Sequence, residues 1–169
     1  MDDHAEIRVS ALFLHPVKAC AAIAVAEAEV QERGFAHDRR FMIVDARGDF
    51  VTQRDDPRLA LVEPSIGAGH LALTSPRLAP TLDALRVPLR LEAGPATRVR
   101  VWGSDVEAVD AGPEASEWLA AALGRSDLRL VWMPDGWRRL VHEDDPTGPV
   151  VSISSAAIDD QGRQLSLAY

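Results

Sequence analysis

The sequence predicts an α+β, β-rich domain with a curled, barrel-like and mostly antiparallel sheet, and three observations carry this. Short runs of alternating apolar and polar residues recur along the chain, each bounded by Gly, Pro or Asp. A clear 3.6-residue apolar period occurs once, over about 113–123, as the main amphipathic helix. Strands and helices do not alternate regularly, as a doubly wound parallel sheet would require.

Taken in order, residues 7–13 (IRVSALF) read as a half-buried strand with Ile7, Val9, Ala11 and Phe13 on one face. Pro16 ends it, because proline has no N–H to give a central ladder. Residues 21–34 (AAIAVAEAEVQERG) fit either a helix, by their Ala and Glu content, or two strand pieces joined by a bulge. In the second case Ile23 and Val25 share one parity, and Ala28 and Val30 the other. Residues 40–52 read as a hairpin whose ARGD turn offers Gly48 for a positive φ. Residues 59–62 (LALV) and 70–74 (HLALT) read as strands separated by a turn around Pro64, Gly67 and Gly69. Residues 97–109 form a second hairpin with its turn at Gly103-Ser104-Asp105. The helix is capped by Gly112, has Pro113 at its first position and stops at Gly124. Its apolar face is Ala115, Trp118, Leu119, Ala122 and Leu123. A strand at 128–133 (LRLVWM), a short strand at 150–153, and a last helix from Ser154 or Ser155 to about Arg163 complete the expectation.

Composition excludes several function classes. A formal net charge of −8 argues against a sequence-independent grip on nucleic acid, which needs a basic surface. One Cys among 169 residues leaves no internal disulfide and no multi-cysteine zinc site. No stretch approaches the roughly 20 apolar residues that cross a bilayer, and the acidic start MDDHAEIRVS lacks the basic and apolar regions of a secretory leader. No membrane association and a cytoplasmic location are therefore expected. None of His4, His15, His37, His70 and His142 has a second His two to five residues on, so no local metal-ligand pair is expected.

Of the 18 cationic residues, 17 are Arg; the single Lys is Lys18, and the chain has no Asn. Such a bias replaces Lys by Arg wherever the exchange is harmless, so the lone ammonium points to a place where a guanidinium does not serve. Lys18 lies in the loop His15-Pro16-Val17-Lys18-Ala19-Cys20, which follows a strand. Arg39 and Arg40 lie in the loop Gly34-Phe35-Ala36-His37-Asp38-Arg39-Arg40, which precedes a hairpin, and Thr52-Gln53-Arg54 ends that hairpin. Three cationic loop ends in an acidic protein suit a converging anion site, with Asp38 holding a guanidinium. The alternative is dispersed surface cations, each paired with a local carboxylate. Cys20, with no CxxC or Cys–His neighbour, reads as a small apolar residue.

These same segments resemble the MOSC N-terminal β-barrel domain, the module that precedes the MOSC domain in molybdenum-cofactor sulfurases and amidoxime-reducing components. The correspondence runs through HPVKAC (15–20), HDRRFM (37–42), VTQRDDPRLALV (51–62), VWGSDVEAVDAGPEASEWLAAALG (101–124), LRLVWMP (128–134) and ISSAAIDD (153–160). The resemblance implies strand for residues 23–30. It implies a MOSC-N-like β-barrel over 1–125 and the truncated start of a MOSC-like second module over 126–169. It also implies the molybdenum cofactor, whose pterin phosphate would be held by Lys18 and Arg39, with Ala19, Arg40 and Arg54 beside them. The family's Ser after the Lys is Ala19 here.

The sequence ends at Tyr169, before the family's molybdenum-ligating Cys, so no metal ligand is expected on it. Three readings follow. The chain is the anion-binding half of a molybdenum-cofactor-dependent oxidoreductase or sulfurase acting with a second chain. Or it is a molybdenum-free subunit using the Lys/Arg site on a phosphate or sulfate ester of a small metabolite. Or it is a non-catalytic partner subunit. The second reading also allows a stand-alone protein, but the partner expected is another protein chain, as homo- or hetero-oligomer, docked on an open sheet edge or an apolar face containing Trp132, Met133 and Val151.

Overall fold

The computed structural model describes residues 9–31, 34–92, 94–101, 103–135, 157–158 and 164–165. Strand β1 (Leu12–Leu14) pairs antiparallel with β2 (Ile23–Val25). The expected alternation is present with its parity reversed, since Leu14 is buried and Phe13 is exposed. The following loop sets that register. Val17 is fully buried and bridged to Phe41, which turns Leu14 inward and leaves Phe13 opposite Ala24 on the outer face. Between residues 21 and 34 the described residues form short strands and no helix: β2 is followed by β3 (Val30–Gln31), which pairs antiparallel with β4 (Gly34–Phe35). The hairpin after them is as expected. Its first arm is β5 (Phe41–Val44), and its second returns through a Val44–Phe50 bridge and a Val51 N–H to Ile43 carbonyl bond of 2.9 Å.

Residues 59–62 are not a strand. Asp56 caps, and Pro57 opens, a short 3-10 helix (Pro57–Leu61) that buries Leu59. The strand comes next, as β6 (Glu63–Gly67), in the stretch expected to turn. It is an edge strand paired with β7 (His70–Thr74), so the missing N–H of Pro64 interrupts no interior ladder. The third strand of this sheet, β8 (Leu85–Pro88), was not expected: its alternation is only four residues long, with Leu85 and Val87 inward. The second hairpin is β9 (Ala96–Val101) and β10 (Ser104–Asp110); Ser104 and Asp105, expected in the turn, are already in the ladder, paired with Val101 and Arg100. Helix α1 (Pro113–Leu123) has the predicted limits, and all five residues of its predicted apolar face are buried. Then comes β11 (Arg129–Trp132). In place of the last expected helix, β12 (Ala157–Ile158) pairs antiparallel with β13 (Gln164–Leu165). The expected strand at 150–153 and Val151 lie outside the described residues.

The centre of the molecule is a four-stranded antiparallel sheet in the order β5-β11-β10-β9. The runs Phe41–Val44 and Leu130–Met133 are apolar throughout because this part of the sheet is covered on both faces. One face carries Phe41, Ile43, Leu130 and Trp132 into a core shared with α1, β7, β8 and the 3-10 helix. The other carries Met42, Val44, Val131 and Met133 into a second core with Val99, Val101, Val106 and Ala108, against which Phe50 packs. Trp132 and Met133 are therefore not an exposed docking face: they are 4% and 7% exposed.

The sheet curls around the second core because residues 48–50 touch both of its edges, Phe50 bridging Val44 and Asp49 bridging Arg100. Gly48 makes the approach possible. Its φ is +83°, and a Cβ there would lie 2.8 Å from the Arg98 carbonyl oxygen. No helix among the described residues is long and apolar enough to cross a membrane.

A buried carboxylate ties the 3-10 helix to the loop after α1. Asp56 is 3% exposed, takes both Nε and Nη2 of Arg58 at 2.8 Å, and lies 3.8 Å from Nη1 of Arg125. The Arg58 hydrogen bonds hold its carboxyl below the usual range. Its contribution is therefore complete above the unfolded pKa of about 3.9 and is lost as pH falls through the lower folded value. Asp56→Asn keeps a capping oxygen but not the charge, and with Arg58 half exposed it should cost about 1–2 kcal/mol at pH 7. Thermal melting should show that deficit narrowing from pH 5 to pH 2; a deficit independent of pH would remove the ionic part.

Candidate functional site

Two of the cationic loops are zipped together along β5. Phe41 N–H donates to the Pro16 carbonyl (2.9 Å), and Lys18 N–H donates to the Phe41 carbonyl (2.9 Å). Arg39 N–H donates to the His15 carbonyl (2.7 Å), and His15 N–H donates to Oδ1 of Asp38 (2.7 Å). The third loop is strapped on by Gln53, whose Nε2 donates to the Ala19 carbonyl at 2.8 Å. Thr52 is held in its own turn by Asp55, which accepts from both its N–H (2.9 Å) and its hydroxyl (2.8 Å).

The result is a cavity of about 360 Å³ whose wall includes Lys18, Ala19 and Arg39, together with Thr52, Gln53 and Arg54. His15 and Cys20 complete the lining. Of the residues singled out from the sequence, Lys18, Ala19, Arg39 and Arg54 are thus brought together. Arg40 is not among the residues lining the cavity. Its guanidinium is drawn the other way by the Met133 carbonyl (2.8 Å) and Asp135 (2.6 Å), and it lies 5.3 Å from the centre of the Trp132 ring. His37 is exposed and lines no part of the cavity.

Two backbone positions in the wall are held where side chains are disfavoured: Ala19 at φ +68° and Arg39 at φ +49°. Non-glycine residues persist there only when their surroundings over-determine them, as the hydrogen bonds through Gln53, His15 and Phe41 do. Lys18 Nζ lies 4.1 Å from the centre of the Phe50 ring, an attraction between an ammonium and a π face. Asp38, 1% exposed, takes Nη1 of Arg39 on its Oδ2. Sequence reasoning missed Phe50; its single signal was a place in the returning arm of the hairpin.

Cys20 is 1% exposed, and burial pushes its thiol up to about 12. It is therefore neither nucleophile nor thiolate ligand at neutral pH. Iodoacetamide at pH 8 should leave Cys20 unmodified in the folded protein and label it fully in denaturant, as read by mass spectrometry. Fast labelling of the native protein would contradict this burial. Among the described residues no three His, Cys, Asp or Glu side chains are grouped to hold a metal ion.

A larger open groove of about 540 Å³ runs along β9 and β10. Its Arg98 has Asp105 at 4.0 Å and Glu107 shares the wall, so the groove has no excess of positive charge. The cavity at Lys18 and Arg39 has three cationic side chains, and its lining contains no carboxylate.

The chain matches the MOSC N-terminal beta barrel domain over residues 6–126. It is 35% identical over 129 residues to "Mitochondrial amidoxime-reducing component 1" of Xenopus laevis, covering 73% of this chain and 36% of that protein. The protein of the same description from Danio rerio is 30% identical over 175 aligned positions, covering 93% of this chain and 53% of that protein. "Molybdenum cofactor sulfurase 1" of Aedes aegypti is 32% identical over 138 residues, covering 78% and 18%. The chain spans about half the length of these relatives or less. With the family match running from residue 6 to residue 126, well over half of its length, the chain belongs to the MOSC N-terminal beta barrel domain family.

Proposed function

We propose that the cavity at Lys18 and Arg39 binds the phosphate-bearing end of the molybdenum cofactor, and that this chain is the anion-binding half of a MOSC-type protein acting with a second module or chain. The observation that carries the reading is the convergence of Lys18, Arg39 and Arg54 on one cavity of an otherwise acidic molecule. The relatives' names, which include molybdenum cofactor sulfurase, support the choice of cofactor.

The donor set suits a phosphate. Lys18 offers a compact point charge, and Arg39 and Arg54 offer planar donors. In this reading Lys18 and Arg39 bind the anion, Gln53 keeps the Ala19 turn closed around it, and Asp38 holds Arg39. When bound, the cofactor would supply oxygen-atom and electron transfer at its metal. No described residue of this chain is assigned to the metal, and Cys20 is buried with its thiol protonated. The second module is proposed to lie beyond β11, and the partner to contribute the remaining wall of the cofactor site.

The test has two arms, run on wild type, Lys18→Ala, Arg39→Ala and the surface control Arg98→Ala. The first is calorimetric or NMR titration with inorganic phosphate. The second is fluorescence of the oxidised pterin released from protein produced in a host that makes the cofactor. Phosphate binding and pterin retention in wild type and in Arg98→Ala, both lost in the two site variants, is the expected result. Phosphate binding without pterin would redirect the site to a phosphate or sulfate ester of another metabolite. Phosphate shifts that ignore Lys18 and Arg39 would overturn the site.

A further inference from the structure

Where the two cationic loops meet, a side chain does the work that a strand would give to its backbone. His15 is gripped at both of its peptide groups. Its carbonyl accepts from Arg39 N–H, and its N–H donates to Oδ1 of Asp38, both at 2.7 Å. The second carboxylate oxygen of Asp38, Oδ2, takes the Arg39 guanidinium. The carboxylate is 1% exposed and the guanidinium 27%. A buried carboxylate is tolerated when its oxygens are hydrogen-bonded and its charge is paired, and both conditions hold here. The Arg39 backbone sits at φ +49°, a conformation that arginine does not choose by itself, so the side chain's starting point is set by the same contacts.

We infer that Asp38 is the positioning residue of the anion site, and this rests on the anion-binding reading above. One carboxylate fixes the Arg39 guanidinium through Oδ2 and the start of the Lys18 loop through Oδ1, so the two cations are presented to the ligand as one unit. A buried ion pair serving only stability would put no such demand on the direction of Arg39.

Asp38→Asn separates the two roles. It keeps the side-chain volume and an oxygen for His15 N–H, but places an amide donor opposite the guanidinium, and two donors do not bond. Arg39 then turns away while the Lys18 loop stays in place. In this variant the affinity for inorganic phosphate should fall roughly tenfold, by the same factor as in Arg39→Gln, since one charge-assisted contact is lost in each. The double variant Asp38→Asn/Arg39→Gln should be no weaker than Arg39→Gln alone, because residues acting as one unit are not additive. By NMR, the Arg39 guanidinium N–H signals should be resolved and slowly exchanging in wild type. In Asp38→Asn they should broaden, while the backbone amides of Val17 and Lys18 hold their positions.

Full phosphate affinity in Asp38→Asn, or additive losses in the double variant, overturns the inference. Should wild type bind no phosphate, the anion reading falls, and the Arg39 signals still decide the positioning. A solvent-averaged Arg39 guanidinium in wild type overturns it. Should Asp38→Asn fail to fold, Arg39→Lys takes its place. It keeps the charge without the fork that reaches carboxylate and ligand together, so its phosphate affinity should fall several-fold, and unchanged affinity overturns the inference.

Discussion

Lys18→Ala should weaken phosphate binding by roughly 10- to 150-fold, the loss of one charge-assisted contact worth about 1.5–3 kcal/mol, while changing the melting temperature little. The expected cost in stability is about 0.5–1 kcal/mol, the size of an ammonium's contact with an aromatic face such as that of Phe50. The loop itself stays attached through backbone bonds, Lys18 N–H to the Phe41 carbonyl and Gln53 Nε2 to the Ala19 carbonyl. Lys18→Arg should restore only part of the affinity. A guanidinium is larger and planar, and it would stack on Phe50 rather than reach past it as a point charge. The measurement is a paired set of phosphate titrations and thermal melts on wild type, Lys18→Ala and Lys18→Arg. If Lys18→Arg matches wild type in both, the one Lys among 18 cationic residues carries no chemical information. If Lys18→Ala instead collapses the melting temperature, the residue is structural and the anion site lies elsewhere.

A chain ended at residue 125 should not fold, whereas one ended at residue 135 should. Strand β11 lies between β5 and β10, so its removal strips hydrogen-bonding partners from two strands at once. It also removes Leu128, Leu130, Val131, Trp132 and Met133, each 7% exposed or less. At about 1.5–3 kcal/mol per buried apolar side chain, that is on the order of 10 kcal/mol, comparable to the whole stability of an ordinary domain. Circular dichroism and amide-proton dispersion on the two truncations decide it. A folded, cooperative 1–125 chain would show that β11 is an accessory to the sheet. The family match ends at residue 126, and β11 of the central sheet comes after it.

Much of the fold was legible because several elements are specified locally. Helix α1 carries its own cap, its Pro at the first position, its apolar stripe and its Gly stop, and it lies where they put it. The hairpin of β9 and β10 is set by strict alternation around Gly103. The misreadings fall where local signals conflict or are too short. Residues 59–62 alternate like a strand, but Asp56 and Pro57 make the preceding turn a 3-10 start. Glu63–Gly67 contains Pro and Gly and reads as a turn, yet an edge position tolerates both. At β1, the alternation put Phe13 on the buried face, and burial of Val17 in the next loop turned Leu14 inward instead.

The sequence by itself determined an antiparallel, β-rich α+β domain, the one clear helix, and a set of cationic loop ends around a single Lys. Membership in a family could be read from the same loops. Tertiary structure alone decided which cations meet. Arg39 and Arg40 are adjacent in the chain, but Arg39 turns to Asp38 and the cavity, and Arg40 to Met133 and Asp135 just after β11. The reason is that side-chain direction at such a loop follows from hydrogen bonds to residues far away in sequence. Asp38 acts on His15 across 23 positions and Gln53 on Ala19 across 34, and no local periodicity encodes contacts at those distances.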